Sequence, residues 1–495
     1  MDSIVEAVAS YAGRPDRAGR LLLADASKSV TYEEGWARIR AGVFRLRKAG
    51  LKKGDRAMIV CTQDVDYMIA MLACQLAGVV CVPLEKGASE SRVRNIFRET
   101  EAAVLIGQKP GLPDGFLRME ELAAPPETAD AAAADFQFPA PEDLCEILFT
   151  TGTTGTPKGI LLTHRANTAI AGNVIDGVHM EEDNVELIPM PLSHSHGLRR
   201  TYSNLYNGSS VVLSNGVLQM KKFFELLETY HARSIDISPA ILSMLFRLSG
   251  DRIADYRDQI RYVQLGSAPL PEADKERLSR CLPDSRLYNF YGTTEAGCSC
   301  ILDFQAHSGV AHCIGRPAKN ARFIFTDKDR HEIRATKDNP GFIATAGLQN
   351  MIGYLNDPEK TAEVCQNGYI FTNDLGYEDE NGNIFCLGRQ DDVINCGGIK
   401  IAPEEIETEL RRYPGLSDCA CIPIPDELQG QVPKLYISVK GPESEFDMAS
   451  FHRYMRSHLD SNKVPRAVEI IDQIPRTSNG KIRHQELIKR SREEA

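Results

Sequence analysis

The sequence of 495 residues contains no apolar run as long as a membrane span. No stretch reaches the ~18 consecutive apolar residues that a transmembrane helix requires. The first residues, MDSIVEAVASYAGRPDRAG, carry acidic side chains where a secretory signal is basic, and no long apolar segment follows them. We therefore expect a soluble, cytoplasmic protein without a membrane span.

The chain also has no excess of positive charge. Lys and Arg number 57 against 68 Asp and Glu, so the formal net charge is −11. This balance argues against nucleic acid as the main partner, because a phosphate backbone favours a basic surface, although a local basic pocket remains compatible with it. The length predicts two or three domains, one of them small enough to move.

Paired cysteine spacing is absent. The thirteen cysteines include two C-x-C pairs, Cys298 with Cys300 and Cys419 with Cys421, but neither has a second pair or nearby histidines to complete a metal site. Structural zinc is therefore disfavoured. Buried free thiols in a reducing cytosol are the better interpretation.

The first third of the chain alternates helical and strand patterns. TYEEGWARIRAGVFRLRKAG begins with Thr31 and Glu34 at capping-box spacing and ends at Gly50, which predicts a helix. RAMIVCT, VVCVPL and AAVLIG have strand character, and helical patterns lie near residues 65–77 and 89–100. This alternation predicts a mainly parallel sheet covered on both faces.

The last hundred residues form a separate compositional unit. APEEIETELRRYPG has Pro403 near a helix start and acidic residues in its first turn. DCACIPIPD, KLYISVK and AVEIID predict strands, and an amphipathic helix is expected at about residues 447–461. We place the boundary of this unit at GRQDD, residues 388–392.

A Thr/Gly-rich stretch, TTGTTGTPKG at residues 150–159, is flanked by the strand-like segments CEILFT and GILLT. The glycines of an ATP-binding P-loop lead into a helix, and its lysine is followed by Ser or Thr. Here a strand follows, and Lys158 precedes Gly159. The stretch is therefore a candidate phosphate-binding loop, but not a P-loop.

Three further stretches accompany this loop. YNFYGTTEAG carries Glu295, TNDLGYEDENGNIFCLGRQDDVI carries Asp374 and Arg389, and IPRTSNGKIR carries Lys481. Alone, each has a plain interpretation as solvated charges or a surface ion pair. Together, in this order and at these separations, the four stretches resemble the adenylate-forming (AMP-binding) superfamily, above all its acyl-CoA synthetases and aryl-CoA ligases.

The resemblance covers nearly the whole chain and implies an α/β fold. It predicts a large multi-sheet N-terminal domain over residues 1–388, a hinge at 389–391 and a mobile, small α+β C-terminal domain over 392–495. The implied cofactors are ATP, Mg²⁺ and coenzyme A. The implied reaction joins a carboxylate to AMP, releases pyrophosphate, and then transfers the acyl group to a thiol.

The resemblance also implies a role for individual residues. The catalytic residues would be Lys481, His194 and Glu295. Lys481 would lie between the substrate carboxylate and the α-phosphate, and Glu295 would hold Mg²⁺. Asp374 would accept hydrogen bonds from the ribose hydroxyls, with Arg389 nearby. GSAP at 266–269 would pack against adenine, where Tyr291 would also stack. Asp391 would be the hinge. The implied cofactor-binding residues are Thr150, Thr151, Gly152, Thr153, Thr154, Gly155, Lys158, Gly266, Ser267, Ala268, Tyr291, Gly292, Thr294, Asp374, Arg389, Gly397 and Gly398, the last two facing the pantetheine tunnel.

Two departures from the family pattern are visible. Asn373 stands where glycine is usual, and asparagine tolerates the same left-handed backbone. Asn395 and Cys396 stand where lysine and serine are common, which leaves the detail of CoA contact open.

The stretch PMPLSHSHGLRRTYSNLYNG, residues 189–208, resembles the segment whose histidine gates the acyl pocket, and His194 is that residue. It contains no aspartate, which disfavours amino-acid activation. His196, Arg199 and Arg200 are the candidate substrate residues. One of the arginines would pair with a second anionic group of a dicarboxylate; the alternative is that both bond surface groups, away from the apolar stripe of Leu198, Tyr202 and Leu205.

Coenzyme A is the expected acceptor, because the chain ends soon after Lys481 and no carrier domain is fused to it. A separate carrier protein is the alternative partner. A different class, a nucleotide-binding regulator without turnover, is disfavoured because Lys158, Glu295, Asp374 and Lys481 are all present. Aryl, fatty and dicarboxylic acids, and a monomer or a homodimer, all stay open.

Overall fold

A computed structural model describes most of the chain, and three β-sheets with their covering helices organise it. The described residues are 1–107, 117–128, 135–150, 158–268, 270–305, 310, 312–390, 392–396, 399–426, 429–460, 463–477 and 480–493.

The helices of the described residues are α1 (Ile4–Ala12), α2 (Tyr32–Lys48), α3 (Val65–Ala77), α4 (Glu90–Glu99), α5 (Met119–Leu122), α6 (His164–Gly177), α7 (Ser195–Asn207), α8 (Met220–Thr229), α9 (Pro239–Ser249), α10 (Glu272–Cys281), α11 (Pro358–Val364), α12 (Pro403–Leu410), α13 (Met448–His458) and α14 (His484–Glu493). Short 3₁₀ turns lie at Arg252–Tyr256 and Glu443–Glu445.

The strands of the described residues are β1 (Leu21–Ala24), β2 (Ser29–Thr31), β3 (Arg56–Val60), β4 (Val80–Leu84), β5 (Val104–Ile106), β6 (Leu144–Thr150), β7 (Lys158–Thr163), β8 (Val185–Ile188), β9 (Ser210–Leu213), β10 (Ser234–Ile237), β11 (Tyr262–Leu265), β12 (Arg286–Thr293), β13 (Gly297–Asp303), β14 (Cys313–Pro317), β15 (Arg322–Thr326), β16 (Gly341–Ala346), β17 (Gly353–Tyr354), β18 (Cys365–Gln366), β19 (Tyr369–Glu378), β20 (Ile384–Arg389), β21 (Ile394–Cys396), β22 (Ile399–Ile401), β23 (Leu416–Asp426), β24 (Gly430–Val439) and β25 (Ala467–Ile470).

The first sheet has six strands in the order β17-β7-β6-β4-β3-β5. Strands β3 to β6 pair in parallel, as the sequence pattern predicted, whereas β7 and β17 add an antiparallel edge. Helix α3 is buried along almost its whole length and packs against α2. Helix α2 begins with the predicted capping box, in which Thr31 and Glu34 each accept a backbone N–H of the other.

The second sheet has fourteen strands and supplies a binding edge. Its order is β15-β16-β19-β20-β14-β13-β12-β11-β10-β8-β9-β1-β2, with β18 beside β19. Strands β8 to β12 of this order run parallel to one another, so their carboxyl ends meet at one edge, where open α/β sheets bind ligands. From β13 onward the pairing is antiparallel.

The third sheet forms a small α+β unit with its own core. Its order is β22-β21-β24-β23, with β25 parallel to β24. Helices α12 and α13 contribute Ile406, Leu410 and Phe451 to a buried cluster on this sheet. Its first strand begins at Ile394, five residues after β20 ends at Arg389.

The cysteines and the lengths of the helices bear on two expectations drawn from composition. All thirteen cysteines lie in the described residues; each is a free thiol, and eleven are buried. The helices that the structure describes include none with the length and apolar character needed to cross a bilayer.

His164 predicts an acid-sensitive contribution to stability. This residue begins α6, beside the strand that carries Lys158, and is 2% exposed. Burial lowers the pKa of its imidazole from 6.5 to about 4. Because the folded-state pKa is the lower one, the neutral ring stabilises the fold fully above the unfolded-state pKa, and this stabilisation is lost as the pH falls through the folded-state value.

Between about pH 7 and pH 4, we expect His164 to lower the free energy of unfolding of the wild type by about 3 kcal/mol, at about 1.4 kcal/mol per pKa unit. His164→Leu should lack this part of the decrease. Urea unfolding at both pH values measures it. His452→Gln is the control, because it removes an exposed histidine on α13 and leaves the buried imidazole in place. Identical pH dependence in wild type and His164→Leu would contradict the assignment.

Candidate active site

The Thr/Gly-rich stretch is flanked by two strands, as the sequence predicted, and these strands pair antiparallel. Thr150 ends β6 and pairs with Lys158, the first residue of β7. Residues 151–157 between them, which include Thr151, Gly152, Thr153, Thr154 and Gly155, lie outside the described residues. The described residues Thr150 and Lys158 lie at one end of the first sheet.

Gly266, Ser267 and Ala268 follow β11 at the carboxyl edge of the parallel strands. A Cβ on Gly266 would lie 3.3 Å from the ring of His196, so this backbone passes close over α7. Ser267 has a φ of +74°, a left-handed conformation that is uncommon outside glycine. The structure thus brings the predicted adenine segment and the predicted substrate residue His196 together.

Asp374 and Arg389 lie directly opposite each other on β19 and β20. Nε of Arg389 is 3.7 Å from Oδ1 of Asp374, and the hydroxyl of Tyr291 donates a hydrogen bond to Oδ2. Burial raises the pKa of Asp374, and the Arg389 charge and the Tyr291 hydrogen bond oppose the rise. The preceding Asn373 has a φ of +60°, as expected for a residue that replaces glycine.

Lys481 follows Gly480, which lies against the large part of the molecule. The backbone N–H of Lys481 bonds Oγ1 of Thr477, and Nη1 of Arg476 donates to the carbonyl of Gly480 at 2.6 Å. Arg476 is itself held by Asp418, at 2.9 Å for each of two hydrogen bonds. Gly480 lies against Ala240, where an added Cβ would come within 2.4 Å of the alanine methyl.

The Lys481 side chain is exposed and lies within electrostatic reach of charged residues on the second sheet. Partial loss of hydration lowers the pKa of its ammonium. The positive charge of Arg389 lowers that pKa further, while Asp374 and Glu295 act in the opposite direction. An ion pair between His312 and Glu405, at 3.2 Å, joins the small unit to the large one elsewhere.

Glu295 lies in the turn between β12 and β13, next to Gly292 and Thr294. Its Oε1 accepts a hydrogen bond from the hydroxyl of Tyr354 at 2.9 Å. The sequence interpretation did not include Tyr354, because a single tyrosine outside any motif carries no signal. Nor did it include Glu85, whose Oε1 is 2.7 Å from Nε2 of the predicted gate residue His194.

The described residues contain no cluster of three or more His, Cys, Asp or Glu side chains suited to a metal ion. A lone carboxylate still fits Mg²⁺, which typically binds nucleotide through one or two carboxylates together with phosphate oxygens and water. Glu295 provides such a carboxylate within electrostatic reach of Lys481.

The arginines of α7 are buried, which corrects the alternative that they bond surface groups. Arg199 is 3% exposed and forms an ion pair with Glu146, which is completely buried on β6. Arg200 is 4% exposed, lies 3.4 Å from Oδ1 of Asp236 and stacks 3.8 Å from the ring of Phe290. Both charges therefore have an acidic neighbour inside the protein.

His196 links this interior to the carboxyl edge. Its Nε2 is 2.8 Å from Oδ1 of Asp236, and its Nδ1 is 2.7 Å from the hydroxyl of Ser267. Asp236 is fully buried, and its Oδ2 has no hydrogen-bond partner among the described residues. Polar side chains therefore lie buried beneath the carboxyl ends of β10 and β11.

The structure describes only some of the residues predicted for the hinge and for contact with CoA. Asp391, Gly397 and Gly398 lie outside the described residues. Cys396 is buried on β21, and its thiol donates a hydrogen bond to Oε1 of Gln429 at 2.9 Å.

Comparison with known proteins gives matches along nearly the whole chain. Residues 9–355 match the family described as AMP-binding enzyme, and residues 405–481 match the AMP-binding enzyme C-terminal domain. A feruloyl-CoA synthase of Amycolatopsis sp is 30% identical over 484 residues, covering 93% of this chain and 94% of the relative. The fatty acid–acyl-carrier-protein ligase ScoC of Streptomyces coeruleorubidus is 28% identical, covering 93% of this chain and 91% of the relative.

A solved structure has the same fold. ATP-bound MatB from Rhodopseudomonas palustris superposes with a TM-score of 0.84 at 24% sequence identity, covering 98% of each chain. At that identity the likeness establishes the architecture, a large α/β part with a small C-terminal domain, and nothing about the substrate.

Proposed function

Because the chain belongs to the AMP-binding enzyme family, we propose that it is an AMP-forming acid–thiol ligase acting on a carboxylic acid and coenzyme A. The observation that carries this proposal is the pairing of Arg389 with Asp374 at 3.7 Å, together with the action of these two charges and of Glu295 on the Lys481 ammonium. Such a set of charges suits a reaction that joins two anions.

In the first half-reaction, a carboxylate oxygen of the acid attacks the α-phosphorus of ATP. The bond from that phosphorus to the pyrophosphate oxygen breaks, so acyl-AMP forms and pyrophosphate leaves. Lys481 stabilises the charge that accumulates between carboxylate and α-phosphate, because a preorganised cation acts where the charge develops. Lys158 and the loop from Thr150 bind the departing phosphates.

The remaining residues bind and orient the nucleotide. Asp374 accepts hydrogen bonds from the ribose hydroxyls, with Arg389 beside it, while Gly266, Ser267 and Ala268 border the base. The Tyr291 hydroxyl donates a hydrogen bond to Asp374, and its ring would stack on the base. Glu295 would hold Mg²⁺, which when bound neutralises charge on the phosphates.

In the second half-reaction, the CoA thiol releases its proton to solvent and its sulfur attacks the acyl carbon. The bond from that carbon to the phosphate oxygen breaks, so a thioester forms and AMP leaves. We propose that the C-terminal domain, residues 392–495, swings about a hinge at residues 389–391 between the two halves. In the second pose Gly397 and Gly398 leave room for the pantetheine arm.

Restricting that hinge tests the domain movement. Asp391→Pro is expected to slow thioester formation at least tenfold more than adenylation, because proline fixes φ near −65° and so limits rotation at this residue. Stopped-flow measurement of each half-reaction, with acyl-adenylate supplied for the second, provides the comparison. If both halves slow equally, Asp391 is not the hinge.

For the acid, we favour an aryl carboxylic acid. The 30% identity to a feruloyl-CoA synthase supports this choice. His194, held by Glu85, would gate the pocket, and His196 would line it. A second substrate carboxylate paired with Arg199 or Arg200 remains a prediction, and their internal acidic partners Glu146 and Asp236 would have to share them.

ATP–pyrophosphate exchange with a panel of aryl, fatty and dicarboxylic acids tests the function and identifies the substrate class. Adding either CoA or a phosphopantetheinylated carrier protein then tests the acceptor; the match to ScoC keeps the carrier protein as the second candidate. We expect exchange with aryl acids and a thioester with CoA. Nucleotide binding without exchange on any acid would instead support a regulator without turnover.

A further inference from the structure

Tyr354 connects two charged groups that belong to different sheets. Its hydroxyl donates to Oε1 of Glu295, in the second sheet, at 2.9 Å. The centre of its ring lies 5.6 Å from Nζ of Lys158, in the first sheet, within the range of a cation–π attraction. The residue is 8% exposed, so both contacts are made by a side chain with little freedom.

The backbone around Tyr354 is fixed on both sides. Leu355 donates its N–H to the carbonyl of Gly159 on β7, and Met351 donates to the carbonyl of Glu295, each at 2.7 Å. The N–H of Tyr354 itself donates to Oγ1 of Thr361 at 2.9 Å. The segment 351–355 therefore forms the seam between the first two sheets, with Tyr354 in it.

The hydrogen bond leaves half of the Glu295 carboxylate for a ligand. Oε1 is engaged by Tyr354, while no hydrogen bond occupies Oε2 among the residues that the structure describes. Ligating carboxylates are commonly oriented by such outer hydrogen bonds.

We propose that Tyr354 is a positioning residue for the first half-reaction. Its hydroxyl turns Glu295 so that one oxygen faces the Mg²⁺ of the bound nucleotide, and its ring holds Lys158 near the phosphates. Both anchors of the phosphate end thus depend on one side chain. The inference rests on the proposed function, because it presumes that ATP and its metal bind at this cleft.

The test compares Tyr354→Phe, which removes the hydroxyl, with Tyr354→Leu, which also removes the ring. Titration calorimetry measures the binding of Mg·ATP and, separately, of AMP, which has no phosphates beyond the first. Tyr354→Phe is expected to weaken Mg·ATP binding about 10- to 100-fold, the usual cost of losing an outer partner of a metal ligand. Tyr354→Leu should lose a further factor of about 2 to 5.

Several controls separate positioning from general damage. AMP affinity and conversion of supplied acyl-adenylate to thioester should change less than about twofold in Tyr354→Phe, because neither uses the metal. In the double variant Glu295→Gln/Tyr354→Phe, the second substitution should add little, since both remove one shared interaction. Tyr206→Phe, which loses a surface hydrogen bond to the Met1 carbonyl, should match wild type.

The outcomes discriminate between the possibilities. If wild type binds Mg·ATP and Tyr354→Phe binds it equally well, the positioning role is overturned. If Tyr354→Phe loses Mg·ATP and AMP binding in equal measure, the residue supports the fold and the proposal is again overturned. If wild type itself neither binds Mg·ATP nor exchanges pyrophosphate, the proposed function fails instead.

Discussion

Replacing Lys481 by alanine is expected to abolish acyl-adenylate formation and to spare thioester formation from supplied acyl-adenylate. The loss of rate in the first half should reach about 10²–10³-fold or more, the usual cost of losing one preorganised contact to developing charge. The cation is needed only where the carboxylate meets the α-phosphate, and that junction already exists in acyl-adenylate. Pyrophosphate exchange and CoA-dependent release of AMP measure the two halves.

The structure supplies a matched control for this prediction. Lys489→Ala removes the same charge from an exposed site on α14, in the same terminal segment, and should leave both halves unchanged. Arg476→Ala should loosen the turn that holds Lys481, because Arg476 bonds the Gly480 carbonyl, and should slow the first half less than Lys481→Ala does. Exchange at the wild-type rate in Lys481→Ala would refute the role of the lysine.

Replacing Arg199 by methionine is expected to destabilise the protein by about 3–5 kcal/mol, because it leaves the Glu146 carboxylate buried without its counter-charge. Glu146 is completely buried and also accepts a hydrogen bond from Tyr202 at 3.1 Å, so the site cannot become hydrated without local opening. Urea unfolding at neutral pH measures the effect.

Two further variants show whether the loss of stability comes from an unpaired buried charge. Glu146→Gln/Arg199→Met removes both charges and should recover most of the lost stability, since the cost arises from an unpaired charge rather than from a missing bond. Arg94→Ala breaks an exposed pair with Glu90 and should cost less than about 1 kcal/mol. If Arg199→Met is as mild as Arg94→Ala but changes the preference between mono- and dicarboxylates, Arg199 binds substrate and the structural account is wrong.

The proposed activity gives different roles to two sets of contacts. At the proposed phosphate end, Lys158 and Glu295 are linked by a single tyrosine and would bind a group that leaves. At the proposed acyl end, His196 lies between Asp236 and Ser267, so polar atoms would border the substrate. An acid panel that includes hydroxylated and plain aryl acids would show whether the substrate uses that polarity.

Much of the architecture could be predicted from the sequence. The helix over Tyr32–Lys48 with its capping box, the buried helix over Val65–Ala77 and the strands flanking the Thr/Gly-rich loop all agree with expectation. These features depend on residues close together in the chain: a capping box joins Thr31 to Glu34, and apolar periodicity repeats within a few residues. The functional residues themselves followed from a resemblance of motifs, and their contacts required the structure.

The long-range pairs could not be read from the sequence. Arg199 and Arg200 looked like exposed or substrate-facing charges until packing placed Glu146 and Asp236 beside them. Tyr354 carries no motif, yet the meeting of two sheets gives it Glu295 and Lys158 as neighbours. Local patterns determine helices, strands and turns because their partners are a few residues away, whereas contacts between sheets depend on how whole elements pack, and only that packing decides which charges are buried together.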